Sequence, residues 1–140
     1  MLTLERLSYR DAMVLMDGAE AKAREIGVPM CIAVCDEAGH LIAFQRMDGA
    51  KILSVALSQD KAMTSAISRR PTHEYNARCI PGNLVFGIHT SLAGHFSTVG
   101  GGLAVDIGDG GVVGAIGVSG GAPEQDIACA EAALEVFLSD

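Results

Sequence analysis

Basic residues are scarce in this sequence. The 10 Lys and Arg residues are outnumbered by 17 Asp and Glu residues, the formal net charge is −7, and the one basic cluster is Arg69 with Arg70. Nucleic acids and anionic membrane surfaces attract clustered positive charge. The sequence therefore predicts no nucleic-acid partner and no membrane partner.

Long apolar runs are also missing. No stretch reaches the roughly 18 consecutive apolar residues that a membrane-spanning helix requires, and the N-terminus lacks the pattern of a secretory signal peptide. We therefore expect a cytoplasmic location.

Three familiar motifs of nucleotide-binding proteins and enzymes are absent or incomplete. The glycines between 108 and 121 do not follow the G-x-G-x-x-G spacing of dinucleotide sites, and the G-K-[ST] triplet of a P-loop does not occur. Ser58 and Lys61 match the S-x-x-K pattern of penicillin-recognising enzymes, but the accompanying S-D-N and K-T-G motifs are absent. These enzyme classes are therefore excluded.

The 4 cysteines form no C-x-x-C pair. Cys31 and Cys35 lie on one face of a predicted strand, roughly 13 Å apart at about 3.3 Å per residue. This separation is too long for a disulfide. We expect both to be buried free thiols in a reducing compartment.

The composition suits one domain. Apolar residues make up 49% of the 140 residues, which supports one hydrophobic core, and we expect residues 1–140 to form a single domain. Charged residues make up only 19%. This thin surface charge favours a homo-oligomer that buries part of the surface.

Hydrophobic periodicity predicts the order helix, strand, strand, helix, long loop, strand, strand, helix. Ser8 and Asp11 resemble a capping box, and Pro123 suits the first position of the last helix. The predicted helices span 8–26, 51–68 and a segment from 123 onward, and the predicted strands span 30–35, 41–44, 84–86, 103–107 and 112–118. Two hairpins with helices packed on them favour the α+β class with an antiparallel sheet.

The rest of the chain is organised around residues 112–126. An apolar run broken by Gly114 and Gly117 predicts a strand buried on both faces, and a glycine turn leads from Ser119 into the last helix. The glycines allow close approach of another strand, another subunit or a ligand. The turn at Ser119 and Gly120 either binds an anion at the helix N-terminus or only packs closely.

One side of the predicted middle helix carries small hydroxyl groups around a single lysine. Its members are Ser54, Ser58, Lys61, Ser65 and Ser68. This side either contacts a neighbouring subunit or water, or it lines a ligand pocket with Lys61 as the cation. In the second case we expect a hollow between this side and the strand at 112–121.

Three of the 4 histidines, His73, His89 and His95, share an irregular segment at 72–98. A loop of this length is typically functional or mobile. Imidazole ligates zinc and haem iron, but the spacing between His89 and His95 matches no zinc motif. These histidines are therefore either surface and packing residues, or iron ligands or proton carriers.

Arg46 and Asp48 flank the end of the second predicted strand. An arginine beside a helix N-terminus is suited to binding a carboxylate. Alternatively, Arg46 forms a structural pair with Asp48 or Asp60.

Several blocks of the sequence resemble the GlcG/HbpS-like family. They read D-E-A-G-H-L at 36–41, F-Q-R-M-D-G-A at 44–50, K-A at 61–62, G-A-I-G-V-S-G-G at 114–121 and Q-D at 125–126. The resemblance extends over nearly the whole chain. It implies a profilin-like α+β fold, with a five-stranded antiparallel sheet surrounded by helices and assembly into a multi-subunit ring. Members of the family include haem-binding and haem-degrading proteins, and proteins encoded beside glycolate or aromatic-acid catabolism genes.

The resemblance leads to two hypotheses. In the first, the protein binds a small ligand, haem or a related tetrapyrrole, between subunits, with His89 or His95 as the iron ligand. In the second, it is a hydrolase, deaminase, isomerase or lyase of organic-acid or aromatic catabolism, in which side chains hold a carboxylate and move a proton. The candidate catalytic residues are Lys61, His89, His95 and Asp126, and the candidate ligand contacts are Arg46, Asp48, Ser58, Lys61, Gly101, Gly102, Ser119 and Gly120.

Overall fold

The computed structural model describes residues 1–139 of the chain. Its helices are α1 (Tyr9–Ile26), α2 (Leu53–Ser68), α3 (His73–Asn76) and α4 (Pro123–Leu138), and its strands are β1 (Cys31–Asp36), β2 (Leu41–Arg46), β3 (Gly102–Asp106) and β4 (Val112–Ser119). The three long helices follow the prediction. The capping box is confirmed, because the Asp11 N–H donates to Ser8 Oγ at 3.1 Å and the Ser8 N–H donates to Asp11 Oδ2 at 2.8 Å.

The strands form one open antiparallel sheet in the order β2-β1-β4-β3. The α+β class is therefore confirmed, but the five-stranded sheet is wrong, because residues 1–139 form a sheet of 4 strands. Residues 84–86, predicted as a strand, lie in a turn. No helix in the described part of the chain combines the length and apolar character needed to cross a bilayer.

Helices cover both faces of this sheet. α1 and α4 pack against each other and against the face that carries Val34 and Ile116. α2 packs on the opposite face, which carries Ala33 and Ala115. Because side chains alternate along a strand, the large residues of β1 and β4 meet the α1–α4 layer. The small residues on the other face let α2 approach the sheet backbone.

The approach of α2 to the sheet is closest at Gly117. A Cβ atom at this position would overlap the Ser58 carbonyl oxygen and lie 2.5 Å from the Ala62 nitrogen. The hydroxyl side of α2 therefore faces the sheet of its own chain. Ser54, Ser58, Lys61 and Ser65 are buried against this sheet, so neither predicted arrangement describes them, whereas Ser68 at the end of the helix is partly exposed.

α2 carries its large apolar residues on the outside. Leu53 is 68% exposed and Ile67 is 40% exposed, whereas Ser58, Lys61 and Ser65 are buried. A sheet face lined by alanine and glycine has no room for long apolar side chains at this spacing. Small hydroxyl residues fit there, and the larger side chains remain on the surface.

The segment 72–98 is irregular, as predicted, and contains α3 and two 3-10 helices, Ile88–Thr90 and Leu92–Gly94. Its two ends are held together, and the first end is also bound to β3. The rings of Tyr75 and Phe96 pack edge to face with their centroids 4.9 Å apart. The Thr72 hydroxyl donates to the Val99 carbonyl at 2.6 Å, and the Thr72 N–H donates to the Gly102 carbonyl at 3.0 Å.

Arg6 forms a two-pronged ion pair with Glu37, just after β1. Its Nη2 and Nε atoms donate to the Glu37 carboxylate at 2.6 and 2.8 Å. These hydrogen bonds lower the pKa of Glu37 from an ordinary 4.5 to about 2. Because the pKa is lower in the folded state, the pair contributes stability above the ordinary pKa, and this contribution is lost as the pH falls towards 2.

We therefore expect Arg6→Ala to be less stable than the unmodified protein at neutral pH. We also expect its stability to fall less steeply between about pH 5 and pH 2, because the lowered pKa of Glu37 is lost with its partner. Urea unfolding at a series of pH values measures both effects. Arg10→Ala, which removes an exposed arginine nearby, is the control. Parallel stability curves for the unmodified protein and Arg6→Ala would contradict the assignment.

Candidate functional site

Lys61 and Asp126 form an ion pair inside the protein. Lys61 lies on α2 and Asp126 lies in the first turn of α4, and their side chains are 0% and 3% exposed. Lys61 Nζ donates to Asp126 Oδ2 at 2.9 Å and to the Val118 carbonyl at 2.9 Å. The other carboxylate oxygen accepts the Gly121 N–H at 2.9 Å. The pair therefore joins α2, β4 and the glycine turn before α4.

Packed backbone closes this ion pair off from solvent. A Cβ at Gly101 would lie 2.9 Å from Lys61 Nζ and 3.0 Å from the Asp126 Cβ, and a Cβ at Gly102 would overlap the Lys61 carbonyl oxygen. Burial lowers the pKa of Lys61 and raises the pKa of Asp126, while the attraction between the two groups opposes both changes. The arrangement suits a structural pair better than a pair that meets substrate.

The predicted hydroxyl contacts are also internal. Ser119 Oγ donates to Ser54 Oγ at 3.0 Å, and Ser58 Oγ donates back to the Val55 carbonyl at 3.4 Å. A Cβ at Gly120 would lie 2.5 Å from the Pro29 carbonyl oxygen. The turn at Ser119 and Gly120 therefore packs closely against the start of β1.

Arg46 and Asp48 lie in an open cleft of about 260 Å³ at the end of β2, together with Glu20 and Arg24. Within residues 1–139 Arg46 forms no ion pair with Asp48 or with Asp60. The structural pairing considered for Arg46 is therefore wrong. The predicted role in binding a carboxylate stays a prediction.

The three histidines of the 72–98 segment have different surroundings. His73 lines a cleft of about 270 Å³ with Gly100 and Ile127. His89 Nδ1 lies 3.0 Å from Cys79 Sγ. His95 Nδ1 lies 2.9 Å from Asp60 Oδ1. Residues 1–139 contain no group of three or more His, Cys, Asp or Glu side chains that could hold a metal ion.

His95 is the histidine best placed to receive a ligand. Its side chain is 59% exposed, and that of its partner Asp60 is 23% exposed. An ionised carboxylate only accepts hydrogen bonds, so it favours the proton on Nδ1, and in the neutral form of the ring this leaves the lone pair of Nε2 free for a ligand. The loop is fixed on α2 here, because Thr64 Oγ1 accepts the Ser97 N–H at 2.9 Å.

A small cleft lies directly beside His95. It has a volume of about 200 Å³ and is lined by Leu41, Met63, Gln59 and Asp60, among others. Leu41 is 51% exposed on β2, and further exposed apolar side chains follow along the outer side of α2. The surface next to the imidazole is therefore largely apolar.

Sequence reasoning missed Asp60 as the partner of His95. The two residues are 35 positions apart, and no local motif links them. Asp60 entered the sequence argument only as a possible partner of Arg46. The one available signal is its position next to Lys61, which places it towards the outer side of α2.

The chain is similar in sequence to a known protein family and to a bacterial protein. Residues 7–135 match the family described as "Haem degrading protein HbpS-like". A Citrobacter freundii protein, described as an uncharacterized 15.0 kDa protein in the dhaT-dhaS intergenic region, is 41% identical over 126 residues, which are 90% of this chain and 88% of that protein.

Two solved structures have nearly the same fold. The crystal structure of Klebsiella pneumoniae protein ORFY superimposes with a TM-score of 0.94 at 33% identity, over 98% of this chain and 94% of that one. The crystal structure of a PduOC:heme complex superimposes with a TM-score of 0.88 at 33% identity, over 94% of each chain. The overall fold is thus shared with a protein that has been crystallised with haem.

Proposed function

We propose that this chain, which belongs to the family of haem degrading HbpS-like proteins, binds haem with the imidazole of His95 as an iron ligand. The observation that carries the proposal is the 2.9 Å contact between His95 Nδ1 and Asp60 Oδ1. Histidines that ligate metals commonly donate their other ring N–H to a carboxylate, which fixes the tautomer and makes the free nitrogen more basic. His95 and Asp60 have this arrangement.

The surface beside His95 is suited to a flat apolar ring system. Leu41 and Met63 line the cleft next to the imidazole, and Phe44 packs nearby on the same face of the sheet. The cleft holds about 200 Å³, which is below the range of roughly 300–1,000 Å³ that encloses most ligands of this size. One subunit therefore covers only part of a porphyrin.

A second copy of the chain would cover the part of the porphyrin that one subunit leaves exposed. The outer side of α2 exposes Ile52, Leu53 and Ile67, which are 79%, 68% and 40% exposed. Exposed large apolar side chains are candidates for contact with a partner when they cluster on one side. We therefore include self-association into a homo-oligomer in the proposal, with the tetrapyrrole held at or near the contact between subunits.

Bound haem would supply iron-centred redox or oxygen chemistry at this position. The residues of the chain have simpler roles. His95 would hold the iron, Asp60 would keep the imidazole oriented with the proton on Nδ1, and the apolar side chains would limit access of water to the macrocycle.

The alternative, an enzyme acting on a small carboxylate, has less support. Its proposed cation, Lys61, is 0% exposed and is paired with Asp126, its proposed proton carrier. Neither side chain lines the clefts beside His95, Arg46 or His73. A substrate would have to displace packed backbone to reach them.

Titration with haemin tests the proposal. We expect a saturable Soret shift for the unmodified protein, no comparable saturation for His95→Ala, and binding weakened by about tenfold for Asp60→Asn, because the orienting carboxylate is lost. His73→Ala is the matched control, since it removes an exposed histidine of the same segment and should bind like the unmodified protein. Unchanged binding by His95→Ala would contradict the proposal, and loss of binding only in His89→Ala would move the ligand to that residue.

A further inference from the structure

The contact between Cys79 and His89 is not used by the proposed haem site. Cys79 Sγ and His89 Nδ1 are 3.0 Å apart, within hydrogen-bonding reach. A thiol beside an imidazole is the arrangement that activates cysteine nucleophiles, because the ring can take the proton and leave a thiolate. We propose that Cys79 is a reactive thiol, activated by His89, that exchanges with small disulfides.

Local structure holds the two side chains together. Cys79 follows α3, and its N–H donates to the Tyr75 carbonyl at 2.9 Å. His89 lies in the 3-10 helix Ile88–Thr90, whose Thr90 hydroxyl donates to the Gly87 carbonyl at 2.6 Å. The ring of Phe86 lies 5.7 Å from the His89 ring, centroid to centroid. The pair is therefore built by ordered turns within one short stretch of chain.

Cys79 differs from the other three cysteines in its surroundings. Cys31, Cys35 and Cys129 are buried, whereas Cys79 is partly exposed. Burial raises the pKa of Cys35 to about 12 and that of Cys129 to about 11, and it also raises the pKa of Cys31. These three thiols are therefore poor nucleophiles at neutral pH. The three buried cysteines therefore serve as controls within the same protein for the reactivity of Cys79.

Cys79, His89 and the disulfide reagent together supply every atom, electron and proton that the exchange step needs. The Cys79 proton moves to His89, and the Cys79 thiolate attacks one sulfur of a low-molecular-weight disulfide. A new S–S bond forms to Cys79 while the S–S bond of the reagent breaks. The leaving thiolate takes the proton from His89. No oxidant other than the disulfide is needed.

The size of the effect follows from thiolate fractions. An ordinary thiol with a pKa near 8.5 is only about 3% ionised at pH 7. A base that takes the thiol proton during the attack removes this limit, and assistance of this kind raises rates by about tenfold or more. We expect Cys79 to react about tenfold faster than it does without His89.

The test uses the full chain with glutathione disulfide as the probe, followed by intact mass and peptide mapping. We expect the first mixed disulfide to form at Cys79, and the rate at pH 7 to fall about tenfold in both His89→Ala and His89→Phe. The phenylalanine variant keeps a ring beside Phe86 but removes the base. The dependence of the rate on pH should also shift upwards in both variants, which a purely structural role would not produce.

His40→Ala, which removes an exposed histidine elsewhere on the surface, is the control and should react at the rate of the unmodified protein. Equal rates for the unmodified protein and both His89 variants would overturn the proposal. Modification of Cys31, Cys35 or Cys129 as fast as Cys79, or no adduct at Cys79, would also overturn it. Haemin titration of the same variants keeps the two proposals separate, since the haem site rests on His95 and Asp60.

Discussion

Gly117→Ala is expected to remove most of the folded protein. The added Cβ would overlap the Ser58 carbonyl oxygen and lie 2.5 Å from the Ala62 nitrogen, and both atoms belong to the backbone of α2. A flexible side chain could turn away from such a contact, but a helix backbone has to move as a unit. We expect a loss of more than about 4 kcal/mol in the free energy of unfolding, which is a large part of the roughly 5–15 kcal/mol of a typical domain.

Urea unfolding and the yield of soluble protein measure this effect. Gly82→Ala is the control, because a Cβ at Gly82 meets no atom within 4 Å although its φ is +91°. That variant carries only the strain of a left-handed backbone, which is about 1–2 kcal/mol. Similar losses for the two variants would show that crowding between α2 and β4 contributes little to stability.

Lys61→Met is expected to destabilise the fold almost as strongly. The substitution leaves the Asp126 carboxylate buried without its cation, although the Gly121 N–H still donates to it. Removing one partner of a buried ion pair generally costs about 3–5 kcal/mol. For a chain of this length we expect the melting temperature to fall by roughly 10–20 °C.

The reciprocal variant and the double variant make the test specific. Asp126→Leu should be destabilised to a similar degree, because it leaves the Lys61 ammonium buried and unpaired. Lys61→Met combined with Asp126→Leu should be more stable than either single variant, since an apolar pair avoids the desolvation of both charges. Additive losses in the double variant would contradict a direct interaction. A loss below about 1 kcal/mol for Lys61→Met would indicate that the pair behaves like an exposed one.

Much of the fold could be predicted from local sequence patterns. α1 begins at the capping box of Ser8 and Asp11 and ends at Gly27, which has a left-handed backbone with φ +70°. The apolar run at 112–118 was enough to predict β4, and Pro123 was enough to predict the start of α4. These signals depend on interactions between residues close in sequence. The wrong prediction of a strand at residues 84–86 shows the limit of local patterns. Three apolar residues are too few to show a periodicity that separates a strand from a turn.

The candidate site was much less predictable. Lys61 was correctly singled out as unusual, but its partner Asp126 lies 65 positions away, and the sequence alone offered Lys61 as a pocket cation. His95 was one of several candidate ligands, and only the structure pairs it with Asp60. A histidine is given a chemical role by its hydrogen-bond partner, and that partner comes from another element of the fold.

The sequence by itself determined the element order, the α+β class and the family of this protein, because these follow from periodicity, capping residues and conspicuous local motifs. Only the tertiary structure decided which side of α2 is buried. A stripe of hydroxyls around Lys61 is compatible with solvent, a partner or a core, and the choice depends on the opposing surface. Here that surface is the glycine- and alanine-lined face of the sheet, which admits small polar side chains and leaves Leu53 and Ile67 outside.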